Sequence, residues 1–281
     1  EFFLLTTLLL KEKIPLPIIK EQYSISNYLD TKCTKIDQTI ERQKQVIEKL
    51  KEYKKSIITE AVTKGLNTNV KMKHSGVEWI GEIPENWKIR KIKYEFRIKK
   101  NIAGREGYDI LSVTQRGIRI KDISNNNGQL AMNYSKYQLV EIGDYIMNHM
   151  DLLTGFVDCS KFSGVTSPDY RVFYLINSNR NEEYYKYIFQ CCYFNKIFFG
   201  LGQGVSGLGR WRLQTDKFLN FIIPVPPVDE QLEIYQYINR KLISINKAIS
   251  KKQQLIDKLT QYKKSLIYEC VTGKKEVNNC G

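Results

Sequence analysis

Histidine is scarce: His74 and His149 are the only two in 281 residues. Neither has neighbours at the spacing of a metal-ligand set. Six cysteines (Cys33, Cys159, Cys191, Cys192, Cys270 and Cys280) include no C-x-x-C pair, which argues against a zinc site and for reduced thiols in the cytoplasm. A membrane-crossing run is missing too. The apolar opening at residues 2–10 has about nine residues, too short for a bilayer and without the basic flank and cleavage site of a secretory signal. Acidic residues are outnumbered, with 30 Asp+Glu against 44 Lys+Arg, leaving a net charge of +14. Such a surplus attracts polyanions, nucleic acid first among them, although solvated helix faces can also absorb it. The length suits about two domains.

Catalytic motifs are incomplete. The stretch "GLGQGVSGLGRWR" at 200–212 holds a formal G-x-G-x-x-G, and with Phe198 an F-x-G-x-G. A dinucleotide loop needs these glycines between a strand and a helix, with an acidic residue about 20 positions on. Here the preceding segment looks helical and the chain then runs into a proline-rich boundary. An amino-methyltransferase would add an N-P-P-[FY] tetrapeptide, and none occurs. "SPDY" at 167–170 offers a P-D dipeptide, but no E-x-K or D-x-K completes a metal-dependent nuclease core. What remains is a glycine strip ending in Arg210, Trp211 and Arg212. Glycine lets backbone approach a partner closely, and arginine forks suit phosphate or guanine.

The most informative feature is a repeat. Residues 14–63 align without gaps on 223–272 with about 22 identities in about 50 positions. Both copies open on prolines, "IPLPIIKEQ" and "IPVPPVDEQ", where Pro15 and Pro17 match Pro224 and Pro226. Proline ends an extended segment or precedes a helix, and Glu21 and Glu230 suit a first helical turn. A helix of about 40 residues, roughly 60 Å long, is predicted in each copy. Leu29, Cys33, Ile36, Ile40, Ile47 and Leu50 recur at steps of three and four, as do Ile238, Leu242, Ile245, Ile249, Ile256 and Leu259. That spacing is a heptad seam, and the other copy is the obvious partner. Gln43 and Lys252, then Lys54 and Lys263, interrupt the seam at matched places, where polar residues can fix register. Gly65 and Gly273 are predicted helix stops.

Between the helices the pattern changes to short mixed segments, with one strong helix at 182–199, strand-like runs at 108–120 and 169–177, and a turn at 124–129. The expected fold class is α+β, with one globular mixed unit between two long helices that form an antiparallel coiled coil. Three stretches in this unit could meet nucleic acid. Gln115, Arg116, Arg119 and Lys121 lie on or beside a strand end, where Gln can read adenine and Arg guanine. Gln203 and Ser206 with Arg210, Trp211 and Arg212 form a second loop. Lys88, Arg90, Lys91 and Lys93 are weaker phosphate candidates in a basic, aromatic-laced segment that equally suits an amphipathic surface.

"SGVEWIGEIPENW" at 75–87, the paired "IPLP…EQ" and "IPVPPVDEQ" openings and the paired "YKKS…VT" helix ends together resemble the specificity subunit of type I restriction-modification enzymes. The resemblance covers nearly the whole chain. It implies a stub of a preceding recognition domain at 1–13, a first conserved helical region at 14–66, a target recognition domain at 72–222, a second helical region at 223–274 and a tail at 275–281. Only the stub departs from the family plan. Either the sequence is a fragment, which its start without methionine also suggests, or the natural product is a half-subunit that self-associates. The implied function is non-catalytic reading of half of a bipartite double-stranded DNA site, with modification and restriction subunits as partners. S-adenosylmethionine, Mg²⁺ and ATP would belong to those subunits. The rival readings are a catalytic methyltransferase or nuclease, and a coiled-coil scaffold that does not bind DNA.

Overall fold

The computed structural model describes residues 14–122, 133–205 and 210–277. The turn expected at 124–129, the stub at 1–13, Ser206 and Cys280 lie outside these. In chain order the elements are helix α1 (Ile19–Lys64), strands β1 (Met72–His74), β2 (Glu82–Pro84) and β3 (Lys88–Lys91), a 3₁₀ turn (Ile92–Tyr94), and strands β4 (Phe96–Lys99), β5 (Leu111–Thr114), β6 (Gly117–Ile120), β7 (Gln138–Val140), β8 (Tyr145–Met147), β9 (Val157–Cys159), β10 (Gly164–Thr166) and β11 (Arg171–Leu175). Helices α2 (Glu182–Phe194) and α3 (Ile197–Gly200), hairpin strands β12 (Gln203–Val205) and β13 (Arg210–Arg212), helix α4 (Thr215–Asn220), strand β14 (Ile222–Val225) and helix α5 (Val228–Val271) follow. The fold is therefore mixed α/β with long N- and C-terminal helices.

The long helices run 46 and 44 residues and stop within two residues of Gly65 and Gly273. The chain divides into two compact units, 1–52 with 243–281, and 53–242. In the first, Ile36, Leu266 and Cys270 form a buried cluster flanked by Leu29, Ile40 and Leu259. Of the two matched pairs of polar interruptions one meets, Lys252 Nζ donating to Gln43 Oε1 at 2.9 Å, whereas Lys263, matched with Lys54, finds an acidic partner instead. Lys263 Nζ lies 2.6 Å from Asp37 Oδ2.

The second unit holds the larger core. A four-stranded antiparallel sheet in the order β4-β11-β8-β9 carries Phe96, Phe173 and Tyr145 on one face. Helix α2 lays Tyr185 and Phe189 onto them, and Phe96 makes edge contacts with Tyr145, Phe173, Tyr185 and Phe189 at centroid distances of 5.2–5.6 Å. Edge-to-face geometry suits the ring quadrupoles and adds to the area buried. The tryptophans of "SGVEWIGEIPENW" are structural: Trp79 stacks on Phe221 at 5.4 Å, and buried Trp87 donates its indole N–H to Glu230 at 2.6 Å. Asn86 donates to the same carboxylate at 2.6 Å, so the start of α5 is tied to this motif.

The helix predicted over 182–199 is broken at Asn195 and Lys196. Lys196 adopts φ +57°, while the Asn195 amide bonds Thr59 Oγ1 at 2.8 Å. A left-handed residue behind a cap that is anchored more than a hundred residues away in sequence thus divides the helix where the apolar pattern would continue it.

Candidate nucleic-acid interface

The run at 108–120 folds as the hairpin β5–β6, with Thr114 paired to Gly117 across the two-residue turn Gln115-Arg116. Thr114 locks that turn: its hydroxyl donates to Gly117 O at 2.9 Å and accepts from Arg116 N at 3.1 Å. Gln115, Arg116 and Arg119 are exposed and Lys121 is half-buried. The Gln115 amide donates to Thr154 O at 3.3 Å. Its second N–H and its carbonyl oxygen are the pair of groups with which a glutamine can read adenine.

Within the glycine run β12 pairs antiparallel with β13, with Gln203 opposite Arg212 and Gly204 opposite Trp211. Gly202 has a packing reason to be glycine: a Cβ there would stand 2.3 Å from the Trp211 indole nitrogen. That indole donates to Phe199 O at 2.8 Å. Gln203 and Arg212 are exposed, Trp211 is half-buried, and Arg210 lies on β13. A helix-to-strand connection is the reverse of a dinucleotide fold, where the glycines lead from strand into helix.

Both hairpins border one loop, residues 148–156 between β8 and β9. Gln115 reaches it at Thr154, and Leu213 N, directly after β13, donates to His149 O at 3.0 Å. Sequence reasoning did not single out this loop, nor Arg171 behind it. The Arg171 guanidinium is buried, donates to Leu213 O at 3.0 Å and to Thr215 Oγ1 at 3.3 Å, and lies 4.6 Å from the Phe218 ring centre. Burial lowers its pKa to about 10, so it stays charged at neutral pH. A signal for it existed: strand alternation puts Arg171 on the face of Phe173, a core residue.

Burial, and beyond it the positive charges of Arg171 and Arg212, pushes the His149 pKa down to about 4. The unfolded chain takes up this proton near pH 6.5 and the folded chain near 4. Within that window the unfolded state binds more protons, so this residue's contribution makes stability fall as the pH drops. Asp158 and Glu182, raised chiefly by burial, act in the opposite sense. Comparison of His149→Gln with the parent isolates the histidine. Urea midpoints at pH 7 and pH 5 are expected to shift less for the variant than for the parent.

Lys88, Arg90 and Lys91 lie on β3, which pairs with β14, and Lys93 lies in the 3₁₀ turn that follows. Lys88 and Lys91 are exposed, but Arg90 Nε sits 2.7 Å from buried Glu95, and Lys93 donates to Asn220 Oδ1 at 3.1 Å. Two of these four cations are therefore engaged within the protein. Among the described residues no group of three or more His, Cys, Asp and Glu could hold a metal ion, and no helix is long and apolar enough to cross a membrane. Burial raises the pKa of the Cys159, Cys191 and Cys192 thiols, which keeps them protonated.

A family described as "Type I restriction modification DNA specificity domain" matches residues 84–261. The type I restriction enzyme MjaVIII specificity subunit of Methanocaldococcus jannaschii is 26% identical over 285 aligned residues, covering 95% of this chain and 63% of that protein. Two solved structures share the fold. One comes from work on complex assembly and conformational transition of the type I R-M system (TM-score 0.66, 12% identity, 93% of this chain and 62% of that one). The other is the HsdS subunit from Thermoanaerobacter tengcongensis (TM-score 0.52, 12% identity, 93% and 61%). The chain thus spans less than two thirds of the length of these relatives. With more than half of its residues matched, from β2 into the last long helix, the chain belongs to the type I restriction modification DNA specificity domain family.

Proposed function

We propose that the chain reads part of a double-stranded DNA site as the non-catalytic specificity component of a type I restriction-modification complex. The observation that carries this reading is the convergence of the two basic hairpins on loop 148–156, in a chain of this family. Gln115, Arg116 and Arg119 beside Lys121 then face base edges, and Gln203, Ser206, Arg210, Trp211 and Arg212 form the second contact element. Lys88 and Lys91 remain candidates for phosphate, and Arg90 and Lys93 are weaker ones because of their internal bonds.

The proposed domain plan keeps helical regions at 14–66 and 223–274 around a recognition domain at 72–222. An antiparallel coiled coil is supported by the order of contacts: Gln43 meets Lys252 while Asp37 meets Lys263, so numbering falls on one helix as it rises on the other. Helices of 46 and 44 residues, roughly 66–69 Å long, match about 20 base pairs at about 3.4 Å each, enough to set the unread spacer of a two-part site. Modification subunits, and a restriction subunit in the full complex, are the proposed partners. S-adenosylmethionine, Mg²⁺ and ATP would serve the chemistry of those subunits.

The test is a binding titration on the cognate duplex, found by mapping methylated adenines. Arg212→Ala is expected to weaken binding to all sequences alike and to reduce the salt slope by about 1. Gln115→Ala is expected to relax discrimination at one base pair by about 1–3 kcal/mol. An unchanged slope together with unchanged discrimination contradicts the reading.

A further inference from the structure

Loop 148–156 is built to hold one apolar side chain outward. Leu152 is 1% exposed, and its neighbour Leu153 is 61% exposed. Exposed leucines are common on proteins, and this one differs in standing on a backbone that its own loop holds in place. Here Asp151 Oδ1 accepts from Leu153 N at 3.0 Å and from Thr154 N at 2.9 Å. Its other carboxylate oxygen takes the Thr154 hydroxyl, and its carbonyl takes Gly155 N at 3.0 Å. The far side is closed by Asn148, whose N donates to Phe156 O at 3.0 Å and whose Oδ1 accepts from Met150 N at 3.3 Å. Gly155 is required by this closure: a Cβ there would stand 2.0 Å from Asp151 O and 2.8 Å from Asn148 O. Burial alone would raise the Asp151 pKa, but the bonds from Thr154, Leu153 and Gly155 outweigh it and hold the carboxyl below the usual range. The loop thus keeps its charge and its shape at neutral pH.

Its surroundings say what it would meet. On one side Gln115 is bonded to Thr154 O beside exposed Arg116, and on the other Leu213 is bonded to His149 O beside exposed Arg212. Phosphates answer the arginines, and an amide answers a base edge. The apolar group that duplex DNA offers among such polar contacts is the thymine C5-methyl in the major groove. We propose that Leu153 is a specificity-determining residue that reads one thymine by packing on its C5-methyl group. The inference rests on the DNA-reading function proposed above.

Deoxyuridine removes that methyl and nothing else, so it gives the test. In the complex with modification subunits, each thymine of the half-site read by this domain is replaced in turn by deoxyuridine, and affinity is measured. One replacement is expected to weaken parent binding by about fourfold, the worth of one buried methyl. Leu153→Ala is expected to lose a similar factor on the natural site and to be indifferent to that same replacement. The fold should be kept, because the side chain is exposed. Sequence-specific binding in which no replacement separates parent from variant overturns the inference while leaving the DNA-reading function intact. So does a variant that loses affinity equally on thymine and deoxyuridine, as a wedge between base steps would. A half-site without an A·T pair overturns it as well. Absence of any specific binding by the parent complex overturns the function and the inference together.

Discussion

Replacing Glu95 with alanine is expected to lower stability by about 3–5 kcal/mol, the range for breaking a buried ion pair by removing one partner. The Glu95 side chain is 2% exposed and answers two guanidinium groups, with Arg90 Nε at 2.7 Å and Arg180 Nε at 2.8 Å. Arg180 adds a hydrogen bond from Nη2 at 3.5 Å, and its own side chain is only 16% exposed. Without the carboxylate, Arg180 keeps a charge that water reaches poorly, and that cost dominates. Arg90, at 40% exposure, can turn to solvent and contributes less. Glu95 also leads directly into Phe96, the hub of the aromatic core, and accepts Ile176 N through its carbonyl at 2.8 Å. For a unit of this size the loss corresponds to a fall in Tm of about 6–20 °C. Thermal unfolding of Glu95→Ala, Arg180→Ala and the double variant checks the assignment. The double variant should lose less than the sum of the singles by about 0.5–3 kcal/mol. A Glu95→Ala loss below about 1 kcal/mol would contradict it.

The long helices were legible in the sequence because two independent signals coincide there. Heptad spacing identifies a narrow apolar stripe, and the repeat shows that the stripe, its interruptions and its stops occur twice. Gln43 and Lys252 were identified as matched interruptions from sequence, and the structure joins them in one hydrogen bond. The 182–199 helix was legible in its apolar body but not in its end. It ends on the Asn195 cap and the left-handed Lys196, and the Asn195 amide is anchored on Thr59, a contact about which a single-sequence pattern carries no information.

The candidate site was legible as chemistry and not as geometry. Gln115, Arg116 and Arg212 stand out by residue type, and all three are exposed. Arg90 looked equivalent to Lys88 and Lys91, and only the fold shows its guanidinium held by Glu95. Loop 148–156 gave no sequence signal because its shape is made by Asp151 bonding its own backbone and by partners at Gln115 and Leu213. The glycines of 200–212 gave too strong a signal. Gly202 makes room for Trp211, a packing reason that no phosphate motif anticipates.

Arg171 is where stability and reading are expected to separate. It is buried, makes no ion pair among the described residues, and satisfies Leu213 O and Thr215 Oγ1 while lying over Phe218. Arg171→Ala is expected to cost about 3–5 kcal/mol, through a cavity beside Phe218 and an unpartnered Leu213 carbonyl. Arg171→Met keeps most of the volume and removes a buried charge, so its cost should be smaller, about 1–3 kcal/mol. In both variants the residue directly after β13 loses its hold on β11, while Leu213 N still bonds His149 O. Arg212 then samples more positions, and ordering it on DNA costs conformational entropy that the parent has already lost in folding. DNA affinity of Arg171→Met is therefore expected to fall about tenfold at a temperature where the variant is fully folded. Circular dichroism melts and binding titrations on the same samples separate the two effects. Parent-like affinity in a folded Arg171→Met would show that the bond from His149 to Leu213 suffices to position the β12–β13 hairpin.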